Sequence, residues 1–361
     1  MNCLNNLDRI SYPAELVMDL TKLYTCKGKD FYYEDVLKSN LAGIIKVTIE
    51  KDTFYAAKLL NLNITENRVR LIIKKNANPK TKDETILANL KTVFSLVQEK
   101  GNDIELTSNE FLHLAKNIFG NAETIDFAYE IKKERVNLLE EKKRVSKRNA
   151  LDSELMQYSK LLAKRRVEPT QLITNLFIDL LHLNVYTNHN EFLALLIFYC
   201  LLFRERFNVF KYVSFFQVYF ENKDQFETAI ISASYNWEQG FSQTAPLNQL
   251  LIKKLLECYQ QVDNSVSDFT FDKKIRKIDN VEATILKLGE VFTKEQIKNA
   301  HPQFSDSTIN RALANLKEQN KIRSNGTGRS ATWIRLVPEE MMGSKMKQMT
   351  LFEIMMDTKE D

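Results

Sequence analysis

A chain of 361 residues, 44% hydrophobic and 27% charged, is long enough for two or three domains with real cores. Its longest apolar stretch, Phe192 to Phe203, is too short to span a bilayer, and its four cysteines (Cys3, Cys26, Cys200, Cys258) lack CxxC spacing. A membrane span, a disulfide framework and a zinc site are therefore not expected. Lys and Arg (51) barely exceed Asp and Glu (47), for a net charge of +4, and nine glycines with six prolines leave few tight turns, so most of the chain should be helical. The N-terminus has no basic region followed by an apolar run, which predicts a cytoplasmic protein.

The first hundred residues read as helices forming an N-terminal region of the body. Pro13 opens a helix with Leu16, Leu20 and Leu23 on one side, and Asp30 to Ala42 and Ala42 to Leu62 give two more. Val69 to Ile73 reads as a short strand or extended piece. Asn76-Ala77-Asn78-Pro79 is a loop, and Asp83 to Val97 a helix with Ile86, Leu87, Leu90 and Val93 inward. From 101 to 263 the pattern continues as a helical core. Leu106 to Glu110 caps a helix ended by Gly120, and the charged insertion 121–167 predicts one or two long exposed helices with the thin stripe Phe127, Ile131, Leu138 and Val145. Pro169 starts the next helix, and His189 precedes a very apolar one that should be the buried spine. Helices through Phe220, over Asn222 to Tyr235 and over Pro246 to Val262 follow. Residues 264–280, polar and charged, read as a linker.

Residues 281–336 carry the pattern of a small module of their own. Val281, Ile285 and Leu288 recur at helical spacing; Thr293 to Gln296 is a capping box; and His301-Pro302 closes that second helix. Ser305 or Ser307 then caps a third, with Ile309, Ala312, Leu313 and Leu316 on one side. Lys321-Ile322-Arg323 and Ala331 to Leu336 read as two strands joined by the Gly-rich Asn325 to Gly328. Three helices and a hairpin make the plan of a winged helix-turn-helix. From Ser305 to Arg335 six basic residues face only Asp306 and Glu318, so this segment alone nets +4, as much as the whole chain. DNA is the partner this favours. Ser307, Thr308, Asn310, Arg311, Lys317, Lys321, Arg323 and Arg329 are the candidate contacts. In the tail, 337–361, Gln348-Met349-Thr350-Leu351-Phe352 has the look of a short docking peptide for a sliding clamp or another protein.

The order of the body's segments resembles the Fic (filamentation induced by cAMP) family. Tyr212-Val213-Ser214, then Glu221-Asn222-Lys223 to Phe226, Ala229, Trp237 and a helix ending near Tyr259 match the family's segment after its active-site helix. Val167-Glu168-Pro169 is similar to its "P-P-E" helix, His189 to Phe207 to its buried central helix, and Leu106 to Gly120 to its "L-H-x-x-[LM]" helix. The resemblance implies a mainly α fold: a Fic-like helical bundle with an N-terminal helical extension and a C-terminal winged helix-turn-helix. It also implies a chemistry, transfer of AMP to a protein hydroxyl, through the motif H-P-F-x-[DE]-G-N-G-R. There the histidine is the base, the acid holds magnesium and the glycine loop cradles phosphates at a helix N-terminus.

That motif is missing. One register puts Glu205-Arg206-Phe207 where His-Pro-Phe should stand; the other leaves only His182 and Asn188-His189-Asn190 as remnants, and neither supplies a glycine. Without glycine a backbone does not readily turn several N–H groups onto one anion. His301 to Asp306 echoes the motif with no following Gly-Asn-Gly, and Thr48-Ile49-Glu50-Lys51 resembles the family's inhibitory helix at shortened spacing, with Lys51 where Gly or Asn is usual, so Glu50 reads as a surface helix acid. The expectation is a catalytically degenerate protein, a pseudoenzyme without cofactor, acting as a DNA-binding regulator or adaptor. As a homodimer it would read two half-sites. Two alternatives stand: a divergent AMP transferase using His182 or His189 with ATP and magnesium, or a protein-only scaffold.

Overall fold

The computed structural model describes residues 3–7, 13–136, 139–272, 281, 283–285, 287–302, 304–326 and 332–336, with the backbone alone at 132–136, 139–143 and 269–272. The chain divides into two compact units, Met1–Ser265 and Val266–Asp361. The candidate contact Arg329 and the tail segment Gln348 to Phe352 lie outside the described residues.

The first unit is mainly helical: α1 (Ala14–Lys27), α2 (Asp30–Leu37), α3 (Leu41–Leu59), α4 (Glu66–Lys75), α5 (Lys82–Lys100) and α6 (Ser108–Phe119) precede a β-hairpin, β1 (Tyr129–Val136) and β2 (Leu139–Ser146). Then come α7 (Arg148–Ala163), α8 (Pro169–Leu183), α9 (Asn190–Arg204), α10 (Phe215–Glu221), α11 (Lys223–Ser234) and α12 (Ala245–Asp272), the last of which continues past Ser265 into the second unit. The spine is α9, whose residues Phe192 to Phe203 are all buried. It packs on α8 and α5, while α3 packs on α5 and α10. Tyr199 sits at the centre of this core, with the rings of Phe203, Phe215 and Phe216 at 5.0, 5.2 and 5.4 Å. Gly101 lies so close under α9 that an added Cβ would stand 2.7 Å from the Cβ of Phe203, so no larger residue fits there.

Buried carboxylates tie distant helices together. Asp52 of α3 is fully buried; its Oδ1 accepts from Ser214 Oγ at 2.6 Å and Phe216 N–H at 3.0 Å, and its Oδ2 from Tyr199 OH at 3.2 Å. Burial pushes its carboxyl up to about 7. Asp179 of α8 takes the N–H groups of Cys3 and Leu4 at 2.8 and 3.1 Å and the indole N–H of Trp237 at 2.7 Å, which pins the N-terminal turn and the loop after α11 to the same helix. A lone Asp inside the apolar run Leu176 to Leu181 was the sequence signal for this hub.

Three sequence readings are corrected. Val69 to Ile73 is part of helix α4: Ile72 and Ile73 bury against Leu87, and Arg68 forms a two-pronged pair with Glu84 of α5 at 2.8 and 2.7 Å. The charged insertion is a hairpin followed by one helix, with Tyr129 opposite Ser146 and Val136 opposite Leu139. Its root is held by the bridge between Phe127 and Tyr186, so backbone groups are satisfied by strand pairing rather than along a long helix. The polar stretch after Val262 begins as helix: α12 runs to Asp272, because Tyr259, Val262 and Val266 continue its buried stripe.

In the second unit, residues 281, 283–285 and 287 are helical. Strand β3 (Val291–Thr293), helices α13 (Lys294–Ala300) and α14 (Asp306–Glu318), and strands β4 (Ile322–Asn325) and β5 (Thr332–Arg335) follow. Both strand pairings are antiparallel, in the order β3-β5-β4, so β5 is central. The capping box is present in full, with Thr293 and Gln296 bonding each other's backbone. Val281, Ile285, Phe292, Ile297, Ile309, Ala312, Leu313, Leu316 and Ile322 form one apolar core. Strand β3 was not foreseen, since three residues next to a strong helix cap carry too little pattern to read.

Candidate functional site

The apolar side of α14 fixes which of its residues face water. Burying Ile309, Ala312, Leu313 and Leu316 leaves Ser307, Asn310, Arg311 and Lys317 exposed and Thr308 half-buried. Ser305 caps the helix, its Oγ accepting from Thr308 N–H at 3.2 Å and standing 2.8 Å from Ser307 Oγ and 2.9 Å from Thr308 Oγ1. Ser307 and Thr308 are thus part of the cap as well as of the helix's first turn. On the strand packed beside α14, Ile322 is buried and Arg323 exposed, with Lys321 exposed just before it.

Three of the positive charges on this surface are left without an ion pair among the described residues. Asp306, one of its two acids, is paired with Lys298 of α13, which holds its carboxyl below the usual range. Arg311, Lys317 and Arg323 form no ion pair with any described residue. The echo of a catalytic string at His301 is a packing contact: the buried His301 meets the Thr284 hydroxyl and stacks on Phe304 at 4.8 Å.

In the first unit, the loop Asn184 to His189 lies between α8 and α9, whereas Glu205-Arg206-Phe207 follows α9 and runs into a 3-10 turn, Asn208–Lys211. The loop is pinned from both sides. Thr187 N–H donates to Asp126 O at 2.9 Å, Tyr186 N–H to Asn190 Oδ1 at 2.8 Å, and Ala128 N–H to Val185 O at 2.8 Å. His189 sits at φ 57°, the left-handed region that favours glycine, with its Nε2 2.9 Å from Glu123 Oε2 and its ring stacked on Phe119 at 4.1 Å. His182 stacks on Trp237 at 4.5 Å; partial burial lowers its basicity, and its Nε2 has no partner among the described residues. Each histidine is held by aromatic packing of its own. Among the described residues no group of three or more His, Cys, Asp or Glu side chains is gathered to hold a metal ion.

The chain, compared as a shape with solved structures, is similar to the crystal structure of a Fic family protein from Desulfovibrio desulfuricans, with a TM-score of 0.51 over 90% of this chain and 97% of that one, at 11% identity. The fold is Fic-like. A Fic domain containing signaling protein from Bacteroides thetaiotaomicron is also similar, with a TM-score of 0.49 and 13% identity over 69% of this chain and 98% of that one. No family profile and no curated protein sequence matches the chain. The Fic-like architecture is therefore shared in backbone course while nearly nine in ten residues differ, so a residue's role must be argued from its own contacts. No helix of the Fic-like body or of the second unit is long and apolar enough, among the described residues, to cross a membrane.

Proposed function

We propose that this chain is a DNA-binding regulator or adaptor: a Fic-like body without a working AMP-transfer centre, carrying a winged helix-turn-helix that contacts the duplex. The observation that carries the reading is the outer face of α14 with β4. There Asn310, Arg311, Lys317 and Arg323 stand exposed and unpaired above a closed apolar core. In a winged helix-turn-helix α14 is the helix that enters the major groove. Asn310 and Arg311 then reach base edges, while Lys317, Lys321, Arg323 and Arg329 meet phosphates. Ser307 and Thr308, at the helix N-terminus, approach the backbone of the same strand.

The body supports the non-catalytic half of the reading. ATP with magnesium would need a cradle of free backbone N–H groups and an acid at the loop before α9. That loop has a side chain at every position, two of its amides already serve protein acceptors, and His189, although paired with Glu123, has no glycine loop beside it to hold phosphates. The residues present do not fit the group.

Titrating the full chain onto DNA by gel shift across a salt series tests the proposal. Log affinity should fall linearly with log salt, and Arg311→Gln with Lys317→Gln should weaken binding and lower the slope by about 1 for each phosphate contact removed. No binding, or binding indifferent to salt, would exclude the DNA reading. A divergent AMP transferase has one observation in its favour, the left-handed backbone of His189 at the N-terminus of α9. Incubation with labelled ATP and magnesium separates the two, since self-labelling that disappears in His182→Ala or His189→Ala would establish the enzyme.

A further inference from the structure

Where α7 gives way to α8, the first unit holds a cavity of about 720 Å³, a size that suits a small organic molecule. Its walls carry three guanidinium groups, Arg165, Arg166 and Arg204, and two carboxylates, Glu168 and Glu205. These charges are not equivalent. Glu168 is fully engaged: Tyr24 OH donates to one oxygen at 2.7 Å, and Thr170 Oγ1 and Gln171 N–H donate to the other at 2.5 and 3.0 Å. Arg204 donates to the carbonyl of Ile104 at 2.5 Å.

Glu205 is different. Its carboxylate has one long hydrogen bond, from Tyr158 OH at 3.4 Å, and the neighbouring Lys27 ammonium is turned to the backbone carbonyl of Glu205 at 2.6 Å instead. Burial holds this carboxyl above the usual range, outweighing the nearby charges of Lys27 and Arg204. Arg165 and Arg166 are exposed, and neither forms an ion pair with any described residue. Arg165 also occupies the left-handed position just past α7, with φ 51°, where glycine is the easy choice and an arginine costs about 1 kcal/mol. Leu162, Val167 and Pro169 add apolar lining to the same cavity.

We propose that this cavity binds a free amino acid with an apolar side chain. Arg165 and Arg166 take the carboxylate, Glu205 takes the ammonium, and the wall of Leu162, Val167 and Pro169 takes the side chain. Charge complementarity selects this class. A simple anion would meet the guanidinium groups but leave Glu205 facing negative charge, and a simple cation would face three arginines; a zwitterion satisfies both ends. The assignment is independent of DNA binding.

Isothermal titration of the full chain with leucine, N-acetyl-leucine and leucinamide tests it. Leucine should bind, and the two probes that each lack one charge should bind at least about tenfold more weakly. Arg166→Gln and Glu205→Gln should each reduce leucine affinity by at least about tenfold, with thermal midpoints reporting that the variants are folded. Should Glu205→Gln fail to fold, Arg166→Gln, at an exposed position, decides. Absence of leucine binding at millimolar concentration, binding unchanged in the variants, or N-acetyl-leucine bound as tightly as leucine would each overturn the proposal.

Discussion

Helices α9 and α14 are of similar length and opposite character. From Phe192 to Phe203 every residue of α9 is buried, so each side chain there is committed to the body's core. Helix α14 buries four residues along one stripe and leaves the rest exposed, apart from the half-buried Thr308 and Asn315. The contrast separates two uses of sequence. In α9 identity is dictated by packing, and substitutions act on stability; on the outer face of α14 packing dictates nothing, so the choice of Asn310, Arg311 and Lys317 is free to serve a partner.

That contrast can be broken at its strongest point first. Leu196→Ala, in the middle of α9 and 1% exposed, should cost about 3 kcal/mol in urea unfolding. A loss below about 1 kcal/mol would mean that α9 is not the spine it looks to be. Next comes the polar anchor of the same core. The folded-state value of Asp52, near 7, lies above that of an unfolded aspartate, so the folded chain holds the extra proton. Stability from this group is fully present below about pH 4 and declines as pH rises to about 7. Asp52→Asn keeps an acceptor for Ser214 and Phe216, and should flatten that decline in urea midpoints measured at several pH values; an unaltered profile would place the effect on other acids such as the half-buried Asp30, itself raised to about 6. The smallest effect falls on α14. Ser305→Ala removes the acceptor for Thr308 N–H and should cost about 1 kcal/mol, read as faster hydrogen exchange confined to α14 and its neighbours. Exchange that speeds up in α9 as well would show that the two helices share one cooperative unit.

Much of the fold was legible because local and global signals agreed. The unbroken apolar run of α9, the Thr293 capping box and the Ile309 to Leu316 stripe each name one structure, and the structure has it; of the two serines offered as the cap of α14, it is Ser305 that serves. The misses fall where local signals were weak. Phe127, Ile131, Leu138 and Val145 stand four and seven apart, which imitates a helical face, but the contact that anchors the hairpin, Phe127 with Tyr186, spans 59 residues of sequence. A five-residue stretch such as Val69 to Ile73, four apolar residues with Arg70 among them, has no decisive period of its own; burial against Leu87 and the Arg68–Glu84 pair settled it as helix. The basic face of α14 could be read in advance because its residues are neighbours in sequence. The cavity beneath Arg166 could not, since its walls are drawn from Leu106, the end of α7, the start of α8 and the end of α9.

The strand order β3-β5-β4 carries a consequence for how the second unit is made. During synthesis β3 and β4 both leave the ribosome ahead of the strand they share, each presenting open backbone groups with no mate. Until Thr332–Arg335 emerges, the sheet has two outer rails and no middle, so the basic surface can be completed only in the last moments of translation of this segment.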